Sequence, residues 1–238
     1  MRVDLSCKNC TIKSSTCFSE LVPDDLGELD ANKVSRVFKK GQTIFYEDMM
    51  PTGIYCLNKG RIKIAKRGID GKEQIVRFVL DGGLLGIRAL MGERKYTASA
   101  TTLEDSVVCF INKKTFLHIS KKYKNISQCV LTLLCTLLEE AENKMTSIAQ
   151  KPVRERLAES LLILDNVFNS HLKMKNPNYL GEINLSREDL ANIVGTATET
   201  VIRLLSDFKE DKIIETEGRK IILTDIKGLQ IIANQYGW

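Results

Sequence analysis

Histidine is scarce in this sequence, and the usual signatures of catalysis are missing. Two histidines, His118 and His171, occur among 238 residues, and neither belongs to a recognisable metal-binding or catalytic motif. The sequence also has no nucleophile elbow, no phosphate-binding loop, no His-x-x-x-His zinc motif and no paired catalytic carboxylates. These absences argue against an enzyme.

Long hydrophobic runs are missing too. The most apolar stretch, Val130–Leu138, is interrupted by threonines and has about half the length that a membrane span needs. The N-terminus reads Met-Arg-Val-Asp and lacks the apolar segment of a secretory signal. A hydrophobic fraction of 43% with 27% charged residues is ordinary globular composition. We therefore expect a soluble, cytoplasmic chain of two modest domains.

The charge of the chain is not concentrated where a nucleic-acid-binding domain would need it. The net charge of +5 is a mild sign of an anionic partner. From residue 151 onward, however, 13 Asp and Glu stand against 12 Lys and Arg, so the excess lies in the N-terminal part. Only local motifs can therefore identify a nucleic-acid-binding region.

Cysteine is the unusual component. Seven cysteines is an odd number in a chain without an export signal, which predicts reduced thiols rather than a disulfide framework. Three of them, Cys7, Cys10 and Cys17, crowd a polar N-terminal segment, 1–22. A C-x2-C pair alone suits zinc as well as iron. The cysteines that we interpret as core or helix-seam residues are Cys56, Cys129 and Cys135.

A region of short strands follows. Pro23–Val34 can form a short helix, and from Phe38 to about Lys113 short alternating apolar runs are separated by glycines. This spacing predicts an antiparallel barrel or roll, which we assign to a sensor domain over residues 23–120. The predicted strands are Thr43–Tyr46, Ile54–Leu57, Arg61–Ala65, Gln74–Leu80 and Ser106–Ile111.

Residues 121–151 change to a helical period and end near Pro152. A helix of about 25 residues, roughly 37 Å long, exceeds what a small domain needs for its own packing. It is either a core helix lying across the roll or, as we favour, the seam of a coiled-coil dimer. The predicted dimerisation residues are Ile126, Val130, Leu133, Leu134, Leu137, Leu138, Ala141, Met145 and Ile148.

Residues 152–238 read as a DNA-binding domain. A helix over Val153–Ser170 and a loop at Asn176–Tyr179 precede a helix-turn-helix pattern. Its first helix begins at the N-cap Ser186, with acidic Asp189 three residues later, and ends at Gly195, which can adopt the left-handed conformation. Thr196 with Glu199 forms a second predicted capping box.

The second helix would enter the major groove with Thr198, Glu199, Ile202 and Arg203. Arg203 can donate two hydrogen bonds to guanine, and Glu199 can accept one from cytosine. The alternative is a surface ion pair between these two residues. A hairpin follows, Lys212–Thr216 and Arg219–Thr224, and resembles the wing of a winged helix. We expect Arg219 and Lys220 to meet phosphate there.

The order of roll, long helix and winged helix resembles the CRP/FNR regulator family over nearly the whole chain. Gly53-Ile-Tyr-Cys-Leu-Asn-Lys-Gly60 looks like the paired glycines of the cyclic-nucleotide-binding-type β-roll. Glu199-Thr-Val-Ile-Arg203 resembles the recognition-helix signature Glu-x-x-Ser/Gly-Arg, from which Ile202 departs. The resemblance implies an α+β fold with an N-terminal β-roll, a long dimerisation helix and a C-terminal winged helix-turn-helix.

The same resemblance implies partners. Such a regulator is a homodimer on a palindromic double-stranded DNA, with half-sites about one helical turn apart. If it activates transcription it also contacts RNA polymerase, for which the Gly68–Glu73 loop is a candidate.

Two stretches correspond to the effector pocket of the cAMP-binding branch, Gly86-Ile87-Arg88 and Tyr96-Thr97. In that branch a glutamate serves the ribose and an arginine serves the cyclic phosphate. Here Ile87 and Tyr96 stand in those places. The resemblance therefore implies that cAMP is not the effector, although Arg88 could pair with another anion.

Gly82-Gly-Leu-Leu-Gly-Ile-Arg-Ala-Leu and Leu103-Glu-Asp-Ser-Val-Val-Cys109 resemble the FNR branch instead, whose members hold an oxygen-labile [4Fe–4S] cluster on four cysteines. The resemblance implies Cys7, Cys10, Cys17 and Cys109 as ligands, although the Cys10–Cys17 spacing is one residue longer than in FNR. O2 or NO would then shift the equilibrium between monomer and DNA-binding dimer. Zinc, thiol redox sensing, a vestigial site, and another effector or haem remain open.

Overall fold

The computed structural model describes residue 3, residues 5–175 and residues 179–233, with the backbone alone for residues 170–175. It divides into two compact units, Met1–Glu140 and Ala141–Trp238. The side chain of His171 and most of the loop expected at Asn176–Tyr179 lie outside the described residues. In the described part of the chain, no helix is long and apolar enough to cross a membrane.

The first unit is built on two four-stranded antiparallel sheets, ordered β1-β8-β3-β6 and β2-β7-β4-β5. They form the expected β-roll. Its elements are α1 Pro23–Asn32, β1 Lys33–Phe38, β2 Thr43–Phe45, β3 Gly53–Lys59, β4 Ile62–Arg67, β5 Glu73–Val79, β6 Leu84–Leu85, α2 Ile87–Met91, β7 Ser99–Thr102, β8 Ser106–Asn112 and α3 Lys113–Lys122, followed by α4 Lys124–Gln150, which continues into the second unit.

The paired glycines bracket β3 because β8 approaches the chain closely at both ends of that strand. A Cβ on Gly53 would lie 2.1 Å from the carbonyl oxygen of Ile111. One on Gly60, whose φ is 119°, would lie 2.2 Å from the hydroxyl oxygen of Ser106. Only glycine fits either position without displacing the neighbouring strand.

Strand β3 contributes to two cores because successive side chains point to opposite faces. Ile54 and Cys56 pack with α1, α3 and the start of α4 on the outside of the first sheet. Tyr55 and Leu57 pack into the space between the two sheets. The face that carries Cys56 is therefore covered by helices and by the N-terminal segment.

The prediction of a helix over Pro23–Val34 is wrong at its end. The helix stops at Asn32, and Lys33–Phe38 forms β1, which pairs with β8 from Lys33 opposite Ile111 to Phe38 opposite Ser106. The partner strand lies far along the chain, and its hydrogen bonds outweigh the local preference for a longer helix.

The second unit contains the expected winged helix-turn-helix. A three-stranded antiparallel sheet, ordered β10-β11-β9, packs beside its helices. The elements are α5 Val153–Lys175, β9 Glu182–Asn184, α6 Arg187–Val194, α7 Thr198–Glu210, β10 Ile214–Glu217, β11 Lys220–Leu223 and α8 Ile226–Ile232.

Helix α4 has two different apolar faces. Ile126 and Val130 are buried in the core of the roll, with Leu133 and Leu134 packed partly against it. Ile126 and Val130, expected in a dimer seam, are therefore enclosed within their own chain. Other apolar residues of α4 are exposed, among them Leu131, Leu138, Met145 and Ile148.

Candidate nucleic-acid interface and cysteine pocket

The first helix of the helix-turn-helix begins and ends as expected. The Ser186 hydroxyl oxygen accepts a hydrogen bond from the Asp189 amide at 2.9 Å, and the hydroxyl lies 2.8 Å from the Asp189 carboxylate. Gly195 adopts the left-handed conformation with φ 74° and ψ 53°. The N-cap and the terminating glycine of α6 are thus confirmed.

The second capping box is wrong. The N-cap of α7 is Ala197, which has no side chain able to cap, and the helix begins at Thr198. Thr196 is not in the cap position because its amide belongs to the end of α6. The amides of Gly195 and Thr196 both donate to the carbonyl of Ala191, at 2.8 and 3.2 Å. Thr196, which the sequence pattern assigned to the start of α7, therefore belongs to the turn that ends α6.

The outer face of α7 is accessible to a DNA groove, since the inner face of the helix packs against the rest of the unit. Val201, Leu204, Leu205 and Phe208 are buried against the rest of the unit. On the opposite face Glu199 and Ile202 are exposed, the Arg203 side chain is 68% exposed, and Thr198 is half-buried. The four residues predicted to read bases therefore lie on the outer side of this helix.

Arg203 forms its ion pair with Asp207, at 3.5 Å, and not with Glu199. A solvent-exposed pair of this kind contributes little to stability, about 0–1 kcal/mol. The guanidinium can therefore leave Asp207 for another acceptor at small cost. Glu199, one turn nearer the N-terminus of α7, stays exposed to solvent.

The wing is held in place by a residue that the sequence analysis missed. Arg187, in the first turn of α6, donates to the carbonyls of Gly218 and Arg219 at 3.0 and 3.4 Å. Arg219 is exposed at the turn of the hairpin, and Lys220 pairs with Glu182 at 3.0 Å. No motif marks Arg187 in the sequence, because its partners are backbone carbonyls of a distant turn.

Cys17 is not brought together with the other predicted ligands. Its sulfur is bonded to that of Cys129, on α4, in a disulfide with 5.6 Å between the Cα atoms. This bond departs from the expectation that all seven cysteines are reduced. The expected ligand set of Cys7, Cys10, Cys17 and Cys109 therefore does not assemble in this structure.

Four other cysteines line one cavity. Cys7 and Cys10 come from the N-terminal segment, Cys56 from β3 and Cys109 from β8, around a cavity of about 40 Å³. Cys56 and Cys109 stand directly opposite each other across the β3–β8 ladder. Two thiols of the sheet thus face two thiols of the segment that covers it.

The Cys7 sulfur has a charged neighbour. The ammonium of Lys33 lies 3.1 Å from it and also pairs with the carboxylate of Asp30, although the Lys33 side chain is only 5% exposed. Burial raises the pKa of Cys7 to about 11, against the opposing effect of Lys33. Burial also disfavours the charge of Lys33, but its bonds to Asp30 and Cys7 prevail and raise its pKa.

Two more of these sulfurs lie beside polar groups. The Ser35 hydroxyl is 3.3 Å from the sulfur of Cys109, and the Asn58 amide nitrogen donates to Cys10 at 3.5 Å. Burial raises the pKa of Cys56 and of Cys109. Without a metal these buried thiols stay protonated, whereas a metal would deprotonate them.

The donor chemistry of this pocket, four cysteine thiols around one cavity, is that of a thiolate-bound metal. Among the described residues, no three His, Cys, Asp or Glu side chains are yet grouped closely enough to hold an ion. A volume of about 40 Å³ is little more than that of one water molecule in the liquid. Metal binding would have to draw the N-terminal segment and the sheet sulfurs together.

The effector pocket of the roll is filled by a side chain. The ring of Tyr96 is 5% exposed and stacks on Phe45 with centroids 3.9 Å apart. It lies against Gly86, whose φ is 80°. The guanidinium of Arg88 donates to the hydroxyl of Thr97. The four predicted pocket residues are therefore close together, with an aromatic ring in the space between the sheets.

Two family models match the chain, and together they account for most of it. Residues 35–123 match the cyclic nucleotide-binding domain, and residues 155–232 match the Crp-like helix-turn-helix domain. The first corresponds to the β-roll and the second to the unit that carries α6, α7 and the wing.

The chain is also similar to curated proteins over nearly its full length. It is 28% identical to the fumarate and nitrate reduction regulatory protein of Salmonella typhimurium over 231 residues, which cover 96% of this chain and 90% of that protein. It is 26% identical to the transcriptional activator protein FnrA of Stutzerimonas stutzeri over 228 residues, covering 95% and 92%.

Solved structures share the fold. FixK2 from Bradyrhizobium japonicum superposes with a TM-score of 0.72 at 24% identity, covering 84% of this chain and 96% of that one. A transcriptional regulator of the CRP/FNR family from Thermus thermophilus superposes with a TM-score of 0.67 at 23% identity, covering 85% and 100%.

Proposed function

The chain belongs to the CRP/FNR family of transcription regulators, and we propose that it is a homodimeric member whose DNA binding responds to oxygen, NO or redox state through its N-terminal cysteines. It is a DNA-binding regulator and not an enzyme. Because its target is DNA, we place its action in the cytoplasm.

The exposed outer face of α7 is the observation that carries the DNA-binding mode. Arg203 is held only by a weak surface pair and can turn to the O6 and N7 atoms of guanine. Glu199 can accept a hydrogen bond from cytosine, and Thr198 and Ile202 complete the reading face. Arg219 and Lys220 would meet phosphate, and Ser186 and Thr196 complete the set of predicted DNA-binding residues.

A heptad stripe on α4 supports the homodimer. Leu131, Leu138 and Met145 are spaced seven residues apart and are 55%, 60% and 63% exposed. Leu134, Ala141 and Ile148 form a second row, also seven apart and offset by three residues. This is the a/d pattern of a two-stranded coiled coil. A second copy of the chain would cover it, so we assign the seam to these six residues and the partly buried Leu137.

The signal is assigned to the cysteines because the roll leaves little space for a nucleotide. The Tyr96 ring lies between the sheets where the cAMP-binding branch places its ligand, which supports an effector other than cAMP. Cysteine-based sensing also agrees with the similarity to the fumarate and nitrate reduction regulatory protein. The second candidate is control by another small anion at Arg88, with the cysteines holding zinc or acting as simple thiols.

Arg203→Ala tests the DNA-binding mode. Palindromic duplexes would first be selected from a randomised pool by the wild-type protein. Losing a bidentate guanine contact should weaken binding by about 1–3 kcal/mol per half-site and relax the preference at that position. Lys209→Ala, an exposed change in the last turn of α7, is the matched control and should retain both affinity and preference. Equal binding by wild type and Arg203→Ala would contradict this mode.

The redox response is tested with the same duplex. Affinity would be measured by fluorescence anisotropy for protein prepared without oxygen, and again after exposure to air or NO. We expect a change of at least about fivefold, the low end of ordinary allosteric coupling. Identical affinities under all conditions would contradict redox control and favour the small-anion alternative.

A further inference from the structure

We propose that Lys144 and Arg156 are positioning residues for DNA recognition, which join the C-terminal end of α6 to α4 and thereby orient the recognition helix α7. Neither residue belongs to the face of α7 that reads bases. The inference deepens the proposed function and rests on it, because it names the residues that connect the helix of the dimer seam to the helix-turn-helix.

The C-terminal end of α6 binds cations from two other helices through its backbone carbonyls. The ammonium of Lys144, on α4, donates to the carbonyl of Ile193 at 2.7 Å. The guanidinium of Arg156, in the first turn of α5, donates to the carbonyls of Val194 and Gly195 at 3.2 and 3.3 Å. The last carbonyls of a helix have no partner within that helix, so they are available to such donors.

These two cations supply a charge that α6 does not have in its own sequence. The helix carries acidic Glu188 and Asp189 in its first turn but no basic residue in its last turn. Positive charge near a helix C-terminus is favourable, because the carbonyls there carry partial negative charge. The contacts of Lys144 and Arg156 with α6 therefore combine hydrogen bonds with a favourable charge interaction.

Arg156 joins the ends of two helices. Besides α6, its guanidinium binds the carbonyl of Ile148, in the last turn of α4, and that of Lys151, just after α4, both at 3.2 Å. A guanidinium is a rigid planar group with several donors, so one arginine can hold both helix ends in a fixed relation.

The end of α4 is bonded to two further helices of the same unit. The hydroxyl of Ser147 donates to the carboxylate of Glu159, on α5, at 2.6 Å, and the ammonium of Lys151 lies 3.0 Å from the same carboxylate. Lys151 also donates to the carbonyl of Ala233, at the end of α8, at 3.1 Å. This stretch of α4 is therefore part of the framework that supports the helix-turn-helix.

The proposed dimer seam runs through the same stretch. Residues 141–150 of α4 belong to the second unit, and the seam residues Ala141, Met145 and Ile148 lie among them. Only residues 195–197 separate α6 from α7. A displacement of the end of α6 against α4 would therefore move the first turn of α7. In a dimer it would change the distance and the rotation between the two recognition helices.

The preference for half-site spacing tests the proposal. DNA affinity would be measured by fluorescence anisotropy on the selected palindrome and on versions with one base pair added to or removed from its centre. One turn of DNA takes 10–10.5 base pairs, so each change rotates one half-site by about 35° relative to the other. We expect wild type to bind the altered palindromes much more weakly than the original. Lys144→Met and Arg156→Met should bind the original at least about fivefold more weakly than wild type and should discriminate less between the spacings.

Two variants serve as matched controls. Lys144→Arg keeps a cation at the same place and should retain the affinity and the spacing preference of wild type. Lys227→Met removes one positive charge from an exposed position on α8 of the same unit and should also behave as wild type. Circular dichroism and sedimentation velocity would establish that the variants are folded and dimeric. If Arg156→Met is not, Lys144→Met decides alone.

Four results overturn the proposal. One is wild-type affinity and spacing preference in both methionine variants, and another is a wild type that binds all three spacings equally. A third is an equal loss of affinity at every spacing, which would indicate a general effect on stability or charge. The fourth is a loss in Lys227→Met as large as that in Lys144→Met.

Amide hydrogen exchange separates this inference from the proposed function, because it needs no DNA. In both methionine variants the amides of Gly195 and Thr196, which donate to the carbonyl of Ala191, should exchange faster than in wild type. If they do while wild type selects no palindrome, the contact between α4 and α6 stands and the DNA-binding mode fails. If wild type selects a palindrome but neither variant changes exchange, affinity or spacing preference, the DNA-binding mode stands and the positioning role is wrong.

Discussion

Single residues in the helix-turn-helix can be inferred from sequence where their partners are local. Ser186 caps α6 through an amide three residues away, and Gly195 ends it through its own backbone angles. Threonine is a good N-cap residue, but the amide of Thr196 instead donates to the carbonyl of Ala191 at the end of α6. Cys17 cannot be assigned from sequence either, because its partner is 112 residues away.

Gly195→Ala should destabilise the C-terminal unit. A residue with a Cβ costs about 1–2 kcal/mol in the left-handed conformation that Gly195 adopts, with φ 74° and ψ 53°. Urea unfolding followed by the fluorescence of a dye attached to this unit would measure the loss. DNA binding should weaken with it, because the turn sets the angle between α6 and α7.

Gly195→Asn is the matched control at the same position. Asparagine enters the left-handed region more readily than alanine, so it should restore part of the lost stability. Equal destabilisation by Ala and Asn would mean that the space around Cβ, and not the backbone conformation, decides the effect.

Whether a helix or strand of this fold can be predicted from sequence depends on how far along the chain its contacts reach. The short strands β6 and β7 of the roll were not predicted. Strands β2, β3, β4, β5 and β8 and the two helices of the helix-turn-helix follow from local period and turn residues, and they appear where the sequence predicts them. Strand β1 does not, because Lys33–Phe38 continues directly from α1 without a turn and owes its conformation to β8. Local pattern alone cannot identify that partner.

Helix α4 shows the same limit in another form. Its apolar period predicts a long helix correctly, but the period does not say which residues meet the roll. Ile126 and Val130 are buried against the roll, while Leu131 and Leu138 stay exposed.

The cysteine pocket is a third case. In the sequence Cys56 is typical of an ordinary core residue, and only the pairing of β3 with β8 places it opposite Cys109. Tertiary pairing decides these assignments.

At the scale of the whole molecule, a two-fold symmetric dimer would present two recognition helices, one to each half of a palindromic DNA site. In regulators with a helix-turn-helix, one recognition helix contacts a few bases, and affinity for a specific site arises when two copies bind adjacent half-sites. The exposed heptad stripe on α4 offers the surface through which the copies would join. DNA affinity should therefore depend on residues of that stripe, although they lie on α4 and not on the recognition helix.

Leu138→Glu should separate the dimer. Leu138 is 60% exposed in the single chain, so glutamate there costs a monomer little. In a two-stranded seam, the two-fold axis would bring two buried carboxylates together, with a penalty of several kcal/mol. The dimer dissociation constant should rise on the order of 100-fold or more. Sedimentation velocity would show a species of 26.8 kDa in place of one twice as heavy.

Thr136→Glu is the control because it adds the same charge to the same helix on a face away from the stripe. Thr136 is exposed and lies two residues before Leu138, about 200° around the helix. It should leave both the mass and the DNA affinity unchanged, whereas Leu138→Glu should lose palindrome binding in parallel with dimer. A Leu138→Glu chain that stays dimeric would show that this stripe of α4 is not the dimer interface. A monomeric chain that still binds the palindrome with wild-type affinity would instead uncouple dimerisation from DNA recognition.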